Sequence, residues 1–298
     1  MNQPLVVLAG ATGDLGGRVV RELISMNTKV RALVRKETPE EKKQRLCDQG
    51  VEVVEVDFTN HHSLVQGCSG GSVVISMLSG LGNVIIDTQT KLIHAAVEAN
   101  VPRFIPSDFA IDYTKVPEGT NRNLNFRFEF MKIADQADIQ VTSILNGAFS
   151  DMLTGVAPFV LFKINKVLCW GNPNQLMDWT TIDDTARYTA FTALDPKTPR
   201  FLKIAGDQVS ANILAEIMTR LSGKKYKVLK PGGLRLLNLF IALTKRLTPT
   251  TDEVFPPWQG MQYMRDQFQG LAKFDHLDNE RYPIKWTTTQ DVLTAHFK

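Results

Sequence analysis

The chain reads as an α/β protein built on a doubly wound parallel sheet, with a smaller α/β lobe after it. Three observations carry that reading. Apolar strand-like runs and amphipathic helical segments alternate from residue 5 to residue 145, the rhythm of parallel strands joined by helical crossovers. A glycine-rich turn, with Gly10, Gly13 and Gly16, separates the first strand from the first helix. Beyond Asn146 the rhythm breaks into short strand-like pieces and longer helices. We therefore expect one domain over 1–150, a return of segment 178–195 to that domain, and a smaller lobe over 151–298.

Each element has its own signal. Leu5–Ala9 is a five-residue apolar run, and helical periodicity starts at Asp14 and lasts to about 26. Lys29–Val34 is the second strand, and Pro39 opens a helix over Glu40–Gln49. Alternation and β-branching make Val51–Val56 the third strand. A short helix near 61–67 leads to the fourth strand, Ser72–Met77. Asn83–Asn100 reads as one long amphipathic helix with Leu92, Ile93, Ala96 and Val97 on its apolar side. Arg103–Pro106 is the fifth strand, Asn123–Ala137 a helix and Ile139–Leu145 the sixth strand.

In the second half, Phe159–Phe162 and Lys166–Trp170 are strand-like, and Asp178–Leu194 reads as strand then helix, capped by Asp183 or Asp184. A strand at 201–204, a helix at 210–222 and a strand at 225–229 follow. Pro231-Gly-Gly233 then breaks the chain before a helix to about 247. Helices near 257–270 and 288–297 complete the chain.

Composition excludes several function classes. Lys plus Arg number 34 against 31 Asp plus Glu, and the resulting +3 is too small to argue for nucleic acid. The three cysteines, Cys47, Cys68 and Cys169, form neither a metal spacing nor a disulfide framework, which fits a reducing, cytoplasmic setting. The histidines (His61, His62, His94, His276 and His296) show no ligand spacing, so no metal is expected. The apolar run at 5–9 is too short for a secretory leader, and Arg235, Asn238, Lys245 and Arg246 interrupt 234–247, so no membrane partner is expected. Leu236, Leu237, Phe240, Ile241 and Leu243 should pack on their own domain, a homodimer or protein-partner surface being the alternative.

The glycine turn carries the chemistry. Gly10 can take a backbone geometry closed to other residues, Gly13 lets the main chain approach a ligand, and Gly16 lets helix and strand pack closely. The helix N-terminus after them offers N–H groups to a diphosphate, the arrangement of a Rossmann dinucleotide site. The end of the second strand then chooses the dinucleotide. An acidic residue there meets a free ribose 2′-hydroxyl, whereas a basic one suits a 2′-phosphate. This chain has Arg35, with Lys36, Lys42 and Lys43 after it, so the expected cofactor is NADP. Asp57, closing the third strand, stands open between adenine recognition and a turn cap.

Four segments together point to a family. Gly10-Ala-Thr-Gly-Asp-Leu-Gly16, Val34-Arg35, Val74-Ile-Ser-Met77 and Arg103-Phe-Ile-Pro-Ser-Asp-Phe109 resemble the NmrA-like and isoflavone-reductase-like branch of atypical short-chain dehydrogenases. The resemblance covers roughly the first 150 residues and implies NADP binding, with many members reducing phenolic or quinone-like molecules. It implies that Thr12, Asp14 and Leu15 line the diphosphate with the glycines, and that Arg35 meets the 2′-phosphate. It puts Asp57 and Phe58 around adenine, Ser76, Met77 and Ser107 along the ribose and nicotinamide, and Asn146 and Gly147 near the nicotinamide.

One departure bears on catalysis. Reductase members of the family carry a lysine twelve residues before the apolar residue that opens the sixth strand, and counting back from Ile139 reaches Arg127. An arginine can hold ribose hydroxyls, but it keeps its proton near neutrality and is a poor acid–base group. Tyr113 is a candidate donor, with a surface-loop tyrosine as the plain alternative; Asp108, Asp112 and Asp151 are weaker candidate acids. The Tyr-x-x-x-Lys spacing occurs at Tyr226 and Lys230, but on a strand of the second half. Phe149, Met152, Phe159, Phe162, Trp170, Met177 and Trp179 are either a substrate pocket or core. The sequence thus supports an NADP-dependent reductase of a small aromatic, quinone or carbonyl compound, with a non-catalytic NADP-binding redox-sensing regulator as the alternative.

Overall fold

Continuous apolar strands can be buried on both faces only if helices cover both sides of a sheet, and the first half of the chain does this. The computed structural model describes residues 3–248 and 252–297. Two compact units divide the chain: Met1–Phe109 with Phe126–Ile144 and Thr185–Leu202, and Ala110–Asn125 with Leu145–Asp184 and Lys203–Lys298.

In the first unit, β1 (Leu5–Ala9), β2 (Lys29–Val34), β3 (Glu52–Glu55), β4 (Val73–Ser76), β5 (Arg103–Ile105) and β6 (Gln140–Val141) form one sheet in the order β3-β2-β1-β4-β5-β6. Every pairing in it is parallel. Its crossovers include α1 (Asp14–Ser25), α2 (Glu40–Asp48), α3 (His61–Cys68) and α4 (Gln89–Glu98). The doubly wound expectation is met. On one face Leu64 and Cys68 of α3, and Leu92, Ile93 and Ala96 of α4, pack on Val7, Leu33, Val74 and Phe104. Phe130 of α5 (Arg122–Ala134) joins them, its ring 6.3 Å from that of Phe104. The guanidinium of Arg103 is buried and donates to the carbonyls of Thr192 and Ala193 at the end of α6 (Ile182–Leu194). A cation there complements the helix's negative end.

Two local expectations change. Asn83–Asn100 is not one α-helix, because Asn83–Thr88 winds as a π-turn before α4. Three successive side chains bond back to carbonyls of this turn: Thr88 to Asn83, Gln89 to Ile85 and Thr90 to Ile86. Such bonds compete with the regular ladder. The sixth strand also splits at Thr142. Its amide still donates to Phe104, whereas that of Ser143 donates to Arg200, so β6 stays in the main sheet and β7 (Ser143–Leu145) pairs with β12 (Phe201–Lys203).

The second unit has two small sheets. β8 (Ala148–Phe149), β11 (Met177–Thr180) and β13 (Asp207–Val209) form one, and β9 (Val160–Leu161), β10 (Lys166–Trp170) and β14 (Lys227–Gly232) the other. α7 (Ala211–Ser222), α8 (Leu234–Leu247), α9 (Pro257–Gln269) and α10 (Thr289–His296) complete the unit. Phe159, Trp170, Met177 and Trp179 belong to its buried core, with Phe159 edge-on to Trp179 at 5.1 Å. The core reading therefore holds for these four.

Pro231 does not end β14, which runs on to Gly232; as the outer member of its three-stranded sheet, β14 can carry a residue with no N–H to donate. At the start of α6, two acceptors besides the expected Asp183 and Asp184 cap the helix. Thr181 Oγ accepts from the Asp184 amide and the Asp151 carboxylate accepts from the Ile182 amide.

Candidate functional site

In the sheet order β3-β2-β1-β4-β5-β6 the winding direction reverses between β1 and β4, and ligands of such sheets bind outside the strand ends at that point. Gly10 follows β1 there, and Ser76 and Met77 close β4 opposite it, with Ala9 paired to Ser76 and the Met77 amide donating to Ala9. The three glycines divide their work. Gly10 has φ +93°, and a Cβ on it would lie 2.6 Å from the Met77 carbonyl oxygen. A Cβ on Gly16 would lie 2.2 Å from the Gly10 oxygen. Gly13 has only the Gly10 oxygen near it, at 3.4 Å, and opens outward. As N-cap of α1, Gly13 brings no side-chain acceptor, so the helix's positive end is left for an anion. Thr12 and Leu15 are half-buried on this loop, while Asp14 is exposed and paired with Arg18 at 2.8 Å.

At the end of β2 lies a pocket of about 460 Å³, lined by Arg35, Lys36, Glu37, Glu55, Val56, Asp57, Phe58 and Thr59. Arg35 is exposed, and its guanidinium has no partner among the described residues. Lys42 is exposed on α2 and does not line the pocket. Lys43 is buried instead and binds the Glu55 carboxylate, which holds Glu55 below the usual carboxylate range and raises Lys43. Asp57 serves as a turn cap: one oxygen accepts the Thr59 hydroxyl and amide, and that hydroxyl bond first, then the amide, lowers its pKa. Glu55, Val56 and Thr59 of this wall were not singled out from sequence. Val56 and Thr59 flank the Asp57-Phe58 pair, and Glu55 closes β3.

Ser76 is buried with its hydroxyl unbonded, an orphan that asks for a partner. Ser107 donates its hydroxyl to the Leu78 carbonyl, and its amide donates to Gln89 Oε1. Gln89 is the residue that sequence reading missed. It is fully buried and ties the Pro-Ser-Asp-Phe segment to the π-turn; a polar residue on a helix's apolar side was its signal. Asp108, also buried, accepts from Ser143, whose hydroxyl in turn accepts from Arg200.

Arg127 is half-buried on α5. Of its phenylalanine neighbours, Phe130 enters the core, Phe126 lies against Gly82, and Phe128 carries Lys132 over its ring at 4.5 Å. β6 opens at Gln140, one residue after the anchor from which Arg127 was counted.

The remaining candidates lie in the second unit. Tyr113 sits buried in a short 3₁₀ turn, not on an exposed loop. Asp112 caps that turn and pairs with Lys203 at 3.0 Å. Gly147 has φ +68°, and a Cβ on it would meet the Asp178 backbone. Asn146 beside it is fully buried, and neither end of its carboxamide is bonded. Its backbone is fixed by the Ala110 carbonyl and the Thr180 hydroxyl. Among the described residues no cluster of His, Cys, Asp or Glu could hold a metal.

The sheet order and the glycine turn at its switch point define a doubly wound α/β protein of the Rossmann type. The chain belongs to the NmrA-like family, whose model matches residues 2–236. It is 30% identical over 241 residues to the bifunctional pinoresinol-lariciresinol reductase 1 of Linum usitatissimum, covering 76% of this chain and 77% of that one. Among solved structures, AtPrR2 with NADP+ and (+)pinoresinol superposes with a TM-score of 0.82 at 24% identity, covering 99% of each chain. An NADPH-dependent quinone oxidoreductase (QOR2) from Escherichia coli, complexed with NADPH, gives 0.78 at 21%, covering 98% of this chain and 100% of that one.

Proposed function

We propose that this chain is an NADP(H)-dependent oxidoreductase acting on a small aromatic, quinone or carbonyl compound. The observation that carries the reading is Arg35: an exposed guanidinium, without a partner among the described residues, at the end of β2 on a pocket wall beside the strand that feeds the glycine turn. A planar guanidinium suits a 2′-phosphate through two parallel hydrogen bonds. The α1 N-terminus, open beyond Gly13, would take the diphosphate, with Thr12 and Leu15 against it. Phe58 offers an apolar face to adenine, and the unbonded Ser76 hydroxyl, with Met77 and Ser107, is assigned to the ribose and nicotinamide. In the second unit, Asn146 has both ends of its carboxamide unbonded and can donate as well as accept.

Bound NADPH supplies a hydride, so the chain's own task is placement and exclusion of water. Relatives named as reductases of pinoresinol and lariciresinol support reduction as the reaction class. A second reading, an NADP-binding redox sensor without turnover, is favoured by Arg127 at the position where the family's reductases carry lysine. NADPH oxidation measured against quinones, aldehydes and phenolic ethers separates the two. Turnover with at least one class is expected, and tight NADPH binding with no consumption by any of them would leave the sensor.

A further inference from the structure

The modest net charge of +3 conceals a strongly one-sided stretch. Between residues 217 and 251 there are eight basic residues and no acidic one. Arg220, Lys224, Lys225, Lys227, Lys230, Arg235, Lys245 and Arg246 are all exposed. Helix α8 lies within this stretch and is apolar on two sides. Leu237 and Ile241 face the core of their unit. Leu239, Leu243 and Leu247 do not: they are 53%, 49% and 82% exposed, while Phe240, 41% exposed, sets its ring edge-on to Trp170 at 6.0 Å and turns its remaining surface outward. With the half-buried Leu236 they recur at helical spacing and form one stripe over three turns. Arg235 and Arg246, three turns apart, run along one border of that stripe.

We propose that α8 is an interfacial helix that lays this stripe into the surface of an anionic lipid bilayer. An amphipathic helix with large apolar side chains on one face and cations beside them has the form such surfaces bind: the apolar groups enter the headgroup boundary and the cations meet acidic headgroups. The charge argues against a second copy as the occupant. A twofold contact would set the same cations against themselves, with no acidic residue of the stretch to compensate. No described helix is long and apolar enough to cross a membrane, so the contact lies on the bilayer rather than through it. The expectation of no membrane partner rested on the lack of a span, which does not bear on a surface helix.

The test is co-sedimentation of the full chain with vesicles of phosphatidylcholine alone or with about 30% phosphatidylserine, at low salt and at about 0.5 M salt. Binding to the anionic vesicles at low salt, roughly tenfold above binding to the neutral ones and reduced by salt, is expected. Leu239→Glu with Leu243→Glu, and separately Arg235→Glu with Arg246→Glu, should each lower partitioning roughly tenfold. Because all four positions are exposed, both variants should keep the parent's Tm. Absence of sedimentation with anionic vesicles at low salt overturns the proposal. So does loss of binding in the arginine pair alone, which would mean adsorption by charge without the stripe. A dimer that the leucine pair converts to monomer, with no vesicle binding, assigns the stripe to a second copy instead.

Discussion

Gly16 lies under Gly10 so closely that a Cβ on Gly16 would stand 2.2 Å from the Gly10 carbonyl oxygen. The clash is with backbone, which cannot rotate away. Gly16→Ala should therefore cost several kcal/mol, on the order of the larger single-site losses, and lower Tm sharply. Gly13 is the contrast. With only one atom near its missing Cβ, at 3.4 Å, Gly13→Ala should keep the native Tm and lose NADPH affinity, because the added methyl fills space left for the diphosphate. Equal Tm losses in the two variants would refute this division of labour.

Arg35→Ala should weaken NADPH binding by roughly 10- to 100-fold, the worth of a charge-assisted bond to phosphate. NADH binding should change little. Titration calorimetry with both nucleotides checks it, and equal losses would remove the 2′-phosphate assignment.

The Lys43–Glu55 pair predicts both an affinity effect and a pH dependence. Glu55 lines the pocket, and Lys43 neutralises it. Lys43→Ala should leave a bare carboxylate beside the 2′-phosphate position and weaken NADPH more than NADH, although Lys43 itself is absent from the pocket wall. The Glu55 pKa lies below its ordinary 4.5 in the folded chain. A depressed carboxyl stabilises the fold above its unfolded value, and that stabilisation fades as pH falls through the folded value. The Tm difference between the parent and Glu55→Gln should thus be present in full at pH 7, begin to shrink as pH falls below the ordinary glutamate value, and vanish only at more acid pH, below the depressed folded value.

Ser143 relays between Arg200 and the buried Asp108 at 2.6 and 2.5 Å. Ser143→Ala removes a donor from a buried carboxylate, which costs about 1–3 kcal/mol. Thermal denaturation should show a fall of a few degrees for a chain of this size. An unchanged Tm would mean that the relay contributes nothing to stability.

The parallel sheet and the glycine turn were legible because they rest on local pattern: apolar runs of strand length, and glycines where a side chain meets backbone. The position of Arg35, exposed on a pocket wall at the end of β2, was legible for the same reason. Long-range partnership was not. Nothing local distinguishes Lys42, which faces solvent, from Lys43, which is buried on Glu55. Asp57 read equally as an adenine contact and as a cap until the Thr59 bonds were seen. The π-turn before α4 escaped because its apolar spacing imitates an α-helix, and only the back-bonds of Thr88, Gln89 and Thr90 distinguish the two.

The change of partner between Thr142 and Ser143 bears on how the chain can be cut. Each unit is assembled from three separate stretches of sequence, so no contiguous fragment holds one unit without part of the other. A fragment ending near residue 145 would contain all six strands of the main sheet yet lack α6, and with it the carbonyls that Arg103 binds. A fragment must run to residue 202 to hold every stretch of the first unit, and it then carries two of the second unit's three stretches with it; insertions are best placed at exposed turns within a unit.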